Sequence, residues 1–366
     1  SAGNITIDAA GNDTDIILKG TDGTVDTTYL TIDGSAAGAA TFNSTVTGTT
    51  FVGALTGNVA GNLTGTVATA TQNSITTATG LTAVGAANTL TTVAGIPFYT
   101  GDSGSIYTHD VSGTDDTATG NTAFGITAMD AITTGDNNTA FGNTALGANT
   151  TGTNNVAVGH SALEDNSTGS GNTAIGDHTL SNNETADSNT AIGRYAMQSN
   201  TTGAANIAVG HQALTANTTG TRNTAIGYQA YDASDTENDN IAIGYQAMTT
   251  NTAGGTSNIA FGNYALDALT SGDENIAIGL NALGANTTAS YNIGIGTSAL
   301  LTNSTGAENV AVGFSALKLN ATTSQNTAVG HDALRNNIAV QNTAVGHSAL
   351  NANTTGAENV AVGYQS

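Results

Sequence analysis

The chain has no cysteine, which excludes a disulfide framework, a zinc-thiolate site and cysteine catalysis. It has almost no positive charge: Lys19, Arg194, Arg222, Lys318 and Arg335 stand against 27 Asp and Glu, a net charge of −22. Such a surface repels nucleic-acid phosphates and anionic headgroups, so neither nucleic acid nor membrane insertion is expected. No run of 18 or more apolar residues occurs, so no membrane-spanning helix is expected. Charged residues make up only 9% of the 366 positions, against roughly 25% in ordinary globular proteins. Hydrophobic content of 38%, regularly placed, is still too high for a disordered low-complexity chain. Scarce Lys and Arg also leave few tryptic sites, which suits an extracellular object. The last residues, Tyr364-Gln365-Ser366, follow just after a repeat has begun, so the chain reads as part of a longer or processed polypeptide.

What is present is repetition. The pattern Asn, then Thr, Val or Ile, then Ala or Gly, an apolar residue and Gly starts at Asn121 and recurs to Asn359. Of the fourteen intervals between its fifteen starts, twelve are 17 residues, one is 18 (Asn240 to Asn258) and one is 16 (Asn326 to Asn342). Identical units in constant phase are the signature of a solenoid. Helix is excluded because Gly, Asn and Thr occupy every turn.

Within a unit such as Asn138-Thr-Ala-Phe-Gly142, alternation places Thr139 and Phe141 on one side and Asn138, Ala140 and Gly142 on the other. This predicts a short strand. Thr144-Ala145-Leu146 predicts a second one, and Asn149-Thr-Thr-Gly152 a turn. Stacking then gives an apolar ladder through Phe124, Phe141, Val158, Ile175 and Ile192, with a second through Leu146, Leu163, Leu180 and Leu214. With about three buried apolar side chains per coil, at roughly 1.5–3 kcal/mol each, one coil cannot stand alone. Small residues permit close approach of another backbone. The face carrying Ala140, Gly142, Ala157, Gly159, Ala174 and Gly176 is therefore expected to pack against other chains.

Upstream, DIILKG (15–20) and YLTIDG (29–34) read as strands of a small β domain over 1–50. In FVGALTGNVAGNLTGTV (51–67), one face alternates apolar residues with Gly. Three such strands about one axis would bury Leu55, Val59 and Leu63 in layers. A shaft and connector are expected over 51–120, broken by the single Pro97, and the repeat domain over 121–366, continuing beyond the chain end.

The Asn-Thr-Ala-Ile-Gly units at Asn172, Asn189 and Asn223 resemble the short repeats of trimeric autotransporter adhesin (YadA-like) heads. The longer form, with Ala-Leu and Asn-Thr-Thr-Gly, is similar to repeats of phage tail fibres and bacterial surface fibres, and residues 55–65 resemble fibre shaft sequence. The resemblance implies a homotrimer and a left-handed β-roll. The period of 17 departs from the shorter adhesin-head period, and a membrane anchor or chaperone domain is not seen. The expected fold is all-β: a homotrimeric fibre with a triple-stranded β shaft leading into a parallel β-roll, or β-solenoid, of about fifteen coils. The expected function is projection and attachment to a host cell or surface receptor, such as a glycan. The alternatives are a fibre-borne polysaccharide depolymerase and a passive filament or matrix subunit.

The position after each repeat Gly varies and carries His160, His211, Tyr228, Tyr245, Phe314, His331, His347 and Tyr364. Tyrosines on this edge suit stacking on sugars. A His facing a threefold axis would form a three-His cluster, but surface corner residues explain the column as well; no metal and no cofactor is expected. The acidic clusters Asp115-Asp116, Glu164-Asp165 and Asp232, Asp235, Glu237 and Asp239 are candidates for glycosidase chemistry, and the acids from Asp232 to Asp239 for calcium, but solvated loops explain them too. Catalytic residues are not expected. Asn149, Asn200, Asn217 and Asn353 fit a glycosylation pattern that turn formation already explains.

Overall fold

A computed structural model describes residues 15–22, 25–33, 39–42, 92–93, 96–97, 106–107, 117–251 and 254–366. The chain divides into two units, 1–79 and 80–366. In the first, β1 (Ile16–Asp22), β2 (Val25–Asp33) and β3 (Ala39–Phe42) form an antiparallel sheet in that order. The expected DIILKG and YLTIDG strands supply β1 and β2. Leu55, Val59, Leu63 and the expected shaft lie outside the described residues, as does Asp115-Asp116.

In the second unit, β4 (Thr92–Val93) and β5 (Ile96–Pro97) form a small antiparallel pair. A parallel sheet of sixteen strands then runs in strict sequence order from β6 (Ile106–Tyr107) through β7 (Thr122–Phe124) to β21 (Val360–Val362). Each repeat contributes one three-residue strand, paired in register with the next, as in Thr173, Ala174 and Ile175 beside Thr190, Ala191 and Ile192. The described residues contain no helix. The β-solenoid expected from the period is therefore present. Its sheet begins fifteen residues before Asn121, where Tyr107 pairs with Ala123 and is fully buried.

The alternation within each strand is as read, but its sense is reversed. Ala140 is 1% exposed and Phe141 56%, and the same sense, alanine or Gly294 inside and its neighbours outside, recurs from β7 to β20 (Thr343–Val345). The interior holds the strand alanines, the alanine column of Ala145, and Leu146, Leu163, Leu180, Met197 and Leu214. Ala140, Ala157 and Ala174 are thus inside the coil and cannot meet another chain. The ladder from Phe124 to Ile192 lines the outer face of the sheet instead. The Leu or Met column fills the interior of most coils, joined in two of them by a second long side chain, Ile132 beside Met129 and Leu269 beside Leu266.

Gly142, Gly159 and Gly176 do mediate close packing, but between coils of one chain. A Cβ on Gly142 would lie 2.2 Å from the carbonyl oxygen of Gly159, and its φ is +146°. The turn that each of these glycines starts also differs from expectation. Thr144 and Leu146 have φ of 55° and 52°, left-handed values, so Thr144-Ala145-Leu146 is a turn and not a strand. Its amides nevertheless bond between coils: Thr144 N to Ile126 O at 2.9 Å and Leu146 N to Ala162 O at 3.0 Å.

Two columns of asparagine close the interior. Asn138 N donates to Asn121 Oδ1 at 2.8 Å, and Asn138 Nδ2 donates to Gly152 O at 2.8 Å. The bond recurs through Asn155, Asn172, Asn189 and beyond. In the second column Asn166 Nδ2 donates to Asn149 Oδ1 at 2.9 Å and to Gly169 O at 3.0 Å. A buried amide is tolerated where the column is unbroken, because it finds partners in the neighbouring coils and within its own. Asn149, Asn200 and Asn217 are fully buried, so the folded chain does not offer them for glycosylation. At Ser234 the second column is interrupted, leaving Asn217 Oδ1 buried without a partner. Tyr231, in the Leu position of that coil, fills the gap: its hydroxyl accepts from Asn240 Nδ2 and from Asn251 Nδ2 at 3.1 Å. Burial pushes the Tyr231 phenol well above its ordinary pKa.

The residue before each first-column Asn is also left-handed: Asn154 at φ 59°, Ala205 at 59°, and Gly171 at 68°. L-residues are strained there and Gly is not. Ala205→Gly at this exposed site is expected to stabilise by about 0.5–1 kcal/mol, the relief of strain exceeding the entropy Gly adds to the unfolded chain. A urea midpoint at or below that of the parent chain would contradict this.

Candidate functional site: the outer sheet face and its ring ladder

Two residues of each solenoid strand from β7 onward point outward. One outward column runs Thr122, Thr139, Val156, Thr173, Thr190 and Ile207; the other runs Phe124, Phe141, Val158, Ile175, Ile192 and Val209, and both continue to β21. Neither column contains a charged residue, although the chain carries a net −22. Phe141 and Phe261 are 56% and 52% exposed, and Ile175, Ile192 and Ile226 are also exposed. At about 4.8 Å per strand this apolar face is about 70 Å long. Monomeric soluble proteins rarely leave a contiguous patch of more than a few hundred Å² open.

Beside this face, the stacking of coils brings the predicted variable column together as ring ladders. Tyr228 stacks between His211 and Tyr245, with centroids 5.4 Å away on each side and planes within 9°. Phe314, His331, His347 and Tyr364 form a second run at 5.0, 4.9 and 5.2 Å. His160 connects to the first run through His178 and Tyr195, and Tyr264 extends it past Tyr245. Those three belong to the next position along each turn. Sequence alignment keeps them in a separate column, although the pairs Asp177-His178 and Arg194-Tyr195 show the signal: a ring one place late where the expected ring is missing.

Stacking has a chemical consequence. Both faces of Tyr228 are covered by neighbouring rings, so it presents an edge and a hydroxyl rather than the open face that sugar stacking needs. The ladder is suited to hydrogen bonding along its length.

The acids separate into different environments. Glu164 and Asp165 border an open hollow with Thr127, Asp130 and Thr144, and burial, then Glu164 and Glu184, raise the Asp165 pKa. Burial likewise raises Asp232. Glu237 is 3% exposed and is engaged in closing the longer coil, accepting from Ser234 Oγ at 3.1 Å, Asp235 N at 2.9 Å and Gly254 N at 3.1 Å. Asp239 receives Arg222 Nε at 2.6 Å and Nη2 at 2.7 Å, which holds its carboxyl below the usual range. Among the described residues, the acids from Asp232 to Asp239 form no converging group of three metal-ligand atoms. No helix among them is long and apolar enough to cross a membrane.

Fold and surface together define a parallel β-solenoid repeat protein with one uncovered apolar sheet face. Comparison with known proteins returns no matching family model, no matching curated protein and no matching solved structure.

Proposed function

We propose that the chain is a non-enzymatic segment of a homotrimeric extracellular or virion fibre, of the kind its repeats resemble, that projects and supports attachment to a host cell or surface. The observation that carries this reading is the continuous, uncharged outer sheet face. Three copies that meet along this face would cover both apolar columns, while the acidic residues stay in water. The inter-chain surface is then built from Phe141, Ile175, Ile192 and their equivalents, not from the alanines first expected there. Repetition supplies length, and the ring ladders offer a periodic lateral surface to a receptor.

Size-exclusion chromatography with light scattering tests the assembly. The chain should elute at three chain masses. Ile192→Asp combined with Ile226→Asp should give a monomer with an unchanged far-UV spectrum, because both side chains lie outside the coil. Each lost isoleucine contact removes roughly 1.5–3 kcal/mol in each of three chains, and the carboxylates add desolvation. A parent chain that is monomeric at micromolar concentration rules the trimer out. Absence of binding to cells or glycans by an intact trimer would leave a passive spacer.

A further inference from the structure

The geometry points to a divalent transition-metal site, of zinc or cobalt type, formed by His160, Asp177 and His178. One ligand atom from each of the three residues lies within 4.8 Å of the others, the one such trio among the described residues. His160 Nδ1 is 3.2 Å from Asp177 Oδ1. Two ligands held tetrahedrally at about 2.0–2.1 Å from a zinc ion are about 3.3 Å apart, so this pair already has a chelating separation.

The coil stack fixes the arrangement. His160 comes from one coil and Asp177-His178 from the next, and His178 N donates to His160 O at 2.9 Å. The two imidazoles meet edge to face, 5.0 Å between centroids and 83° between planes, which lets ring nitrogens converge. By contrast, His331 and His347 are parallel within 4°. Their Nδ1 atoms face other partners: Asp332 Oδ2 at 3.1 Å and Ser348 Oγ at 3.0 Å.

Arg194 Nε lies 3.3 Å from Asp177 Oδ2 and its Nη2 is 2.9 Å from the Tyr195 hydroxyl. The guanidinium therefore holds one carboxylate oxygen and leaves Oδ1 turned to His160, as an outer partner orients a metal ligand. Two imidazoles and one carboxylate suit zinc, cobalt or nickel rather than calcium or magnesium, which prefer all-oxygen sites. The strongly negative chain raises the local concentration of any cation. A bound ion would clamp two successive coils across an edge otherwise held by backbone bonds.

Calorimetric titration with ZnCl2, and visible absorption with CoCl2, test the site on the whole chain. The expected result is one ion per chain, unaffected by millimolar calcium or magnesium, with affinity falling at least ~10-fold in Asp177→Asn and in His178→Gln and unchanged in His347→Gln. All three side chains lie on the coil exterior, and far-UV spectra check that the variants fold. Should a variant unfold, a zinc-dependent rise in the thermal midpoint of the parent chain that His160→Gln abolishes serves in its place. Equal affinity in parent and Asp177→Asn, or equal loss in His347→Gln, overturns the proposal. The site lies within one chain, so its failure and that of the trimer are read separately.

Discussion

Gly210→Ala is expected to break the coil stack, at a cost of about 4 kcal/mol or more. An added Cβ at Gly210 would lie 2.3 Å from the carbonyl oxygen and 2.7 Å from the carbonyl carbon of Gly227, at a φ of +139°. Both obstacles are backbone, and that backbone is tied in turn to the next coil, so no side chain can swing aside. The gap between two coils would have to open, breaking bonds such as Gly227 N to Val209 O at 2.8 Å and Ile207 N to Asn223 O at 2.8 Å. Strain at positive φ adds about 1–2 kcal/mol. Effects above about 4 kcal/mol are rare for single substitutions and need a named cause; here it is backbone collision. Gly147→Ala is the control. Its position accepts Glu164, Ser181 and Gln198 in later coils, and the nearest atom to its added Cβ is Thr144 O at 3.2 Å. It should change stability by less than about 0.5 kcal/mol. Urea unfolding followed by circular dichroism distinguishes the two, and a Gly210→Ala chain as stable as the Gly147→Ala chain would refute the close-packing account.

The second large effect is expected from Asn200→Asp, which changes no volume. Asn200 Nδ2 donates to Asn183 Oδ1 at 2.9 Å and to Gly203 O at 3.0 Å, while Asn200 Oδ1 accepts from Asn217 Nδ2 at 2.8 Å. Replacing the amide nitrogen with oxygen turns a buried double donor into an acceptor facing two acceptors. A buried, unpaired carboxylate costs about 3–5 kcal/mol near pH 7. The variant carboxyl therefore has a raised pKa in the folded state. It binds its proton more tightly folded than unfolded, so stability recovers as pH falls from the raised value toward about 3.9, the unfolded value. Recovery is partial, since one hydroxyl proton cannot serve two acceptors. Unfolding midpoints at pH 7 and pH 4.5 measure the sign: a penalty that grows on acidification, or no penalty at either pH, would contradict the ladder.

Both predictions concern residues that the sequence displays openly, as Gly and Asn in constant phase, yet their roles had to come from packing. Asn138 and its equivalents were grouped with Ala140 and Gly142 on one side of the strand, and that grouping holds. Hydropathy then assigned the wrong side to the interior, because it favours burying Phe141 over Asn138. A repeat makes possible what a single strand does not: every first-column amide has an identical amide one coil away, so the desolvation cost is offset by a bond between successive layers. The sequence does carry the corrective signal. The first-column Asn and the closing Gly do not vary across the fifteen starts, and Ala yields only to Gly294, whereas the flanking positions exchange Thr, Val, Ile and Phe freely. Invariance inside a repeat marks the positions without spare room, and variation marks the surface.

By itself, the sequence determined the period, the all-β solenoid, the parallel stacking in register and the partition of each strand into two faces, because these follow from phase and from the two-residue alternation of an extended chain. Only the tertiary structure decided which face is inside, since that depends on the cross-section left once Leu146 and its equivalents have filled a 17-residue coil. It also decided that Thr144-Ala145-Leu146 is a left-handed turn, a conformation that residue type disfavours and inter-coil hydrogen bonds enforce. And it decided that His160, Asp177 and His178 meet, because residues 17 and 18 apart become neighbours only when one coil lies on the next.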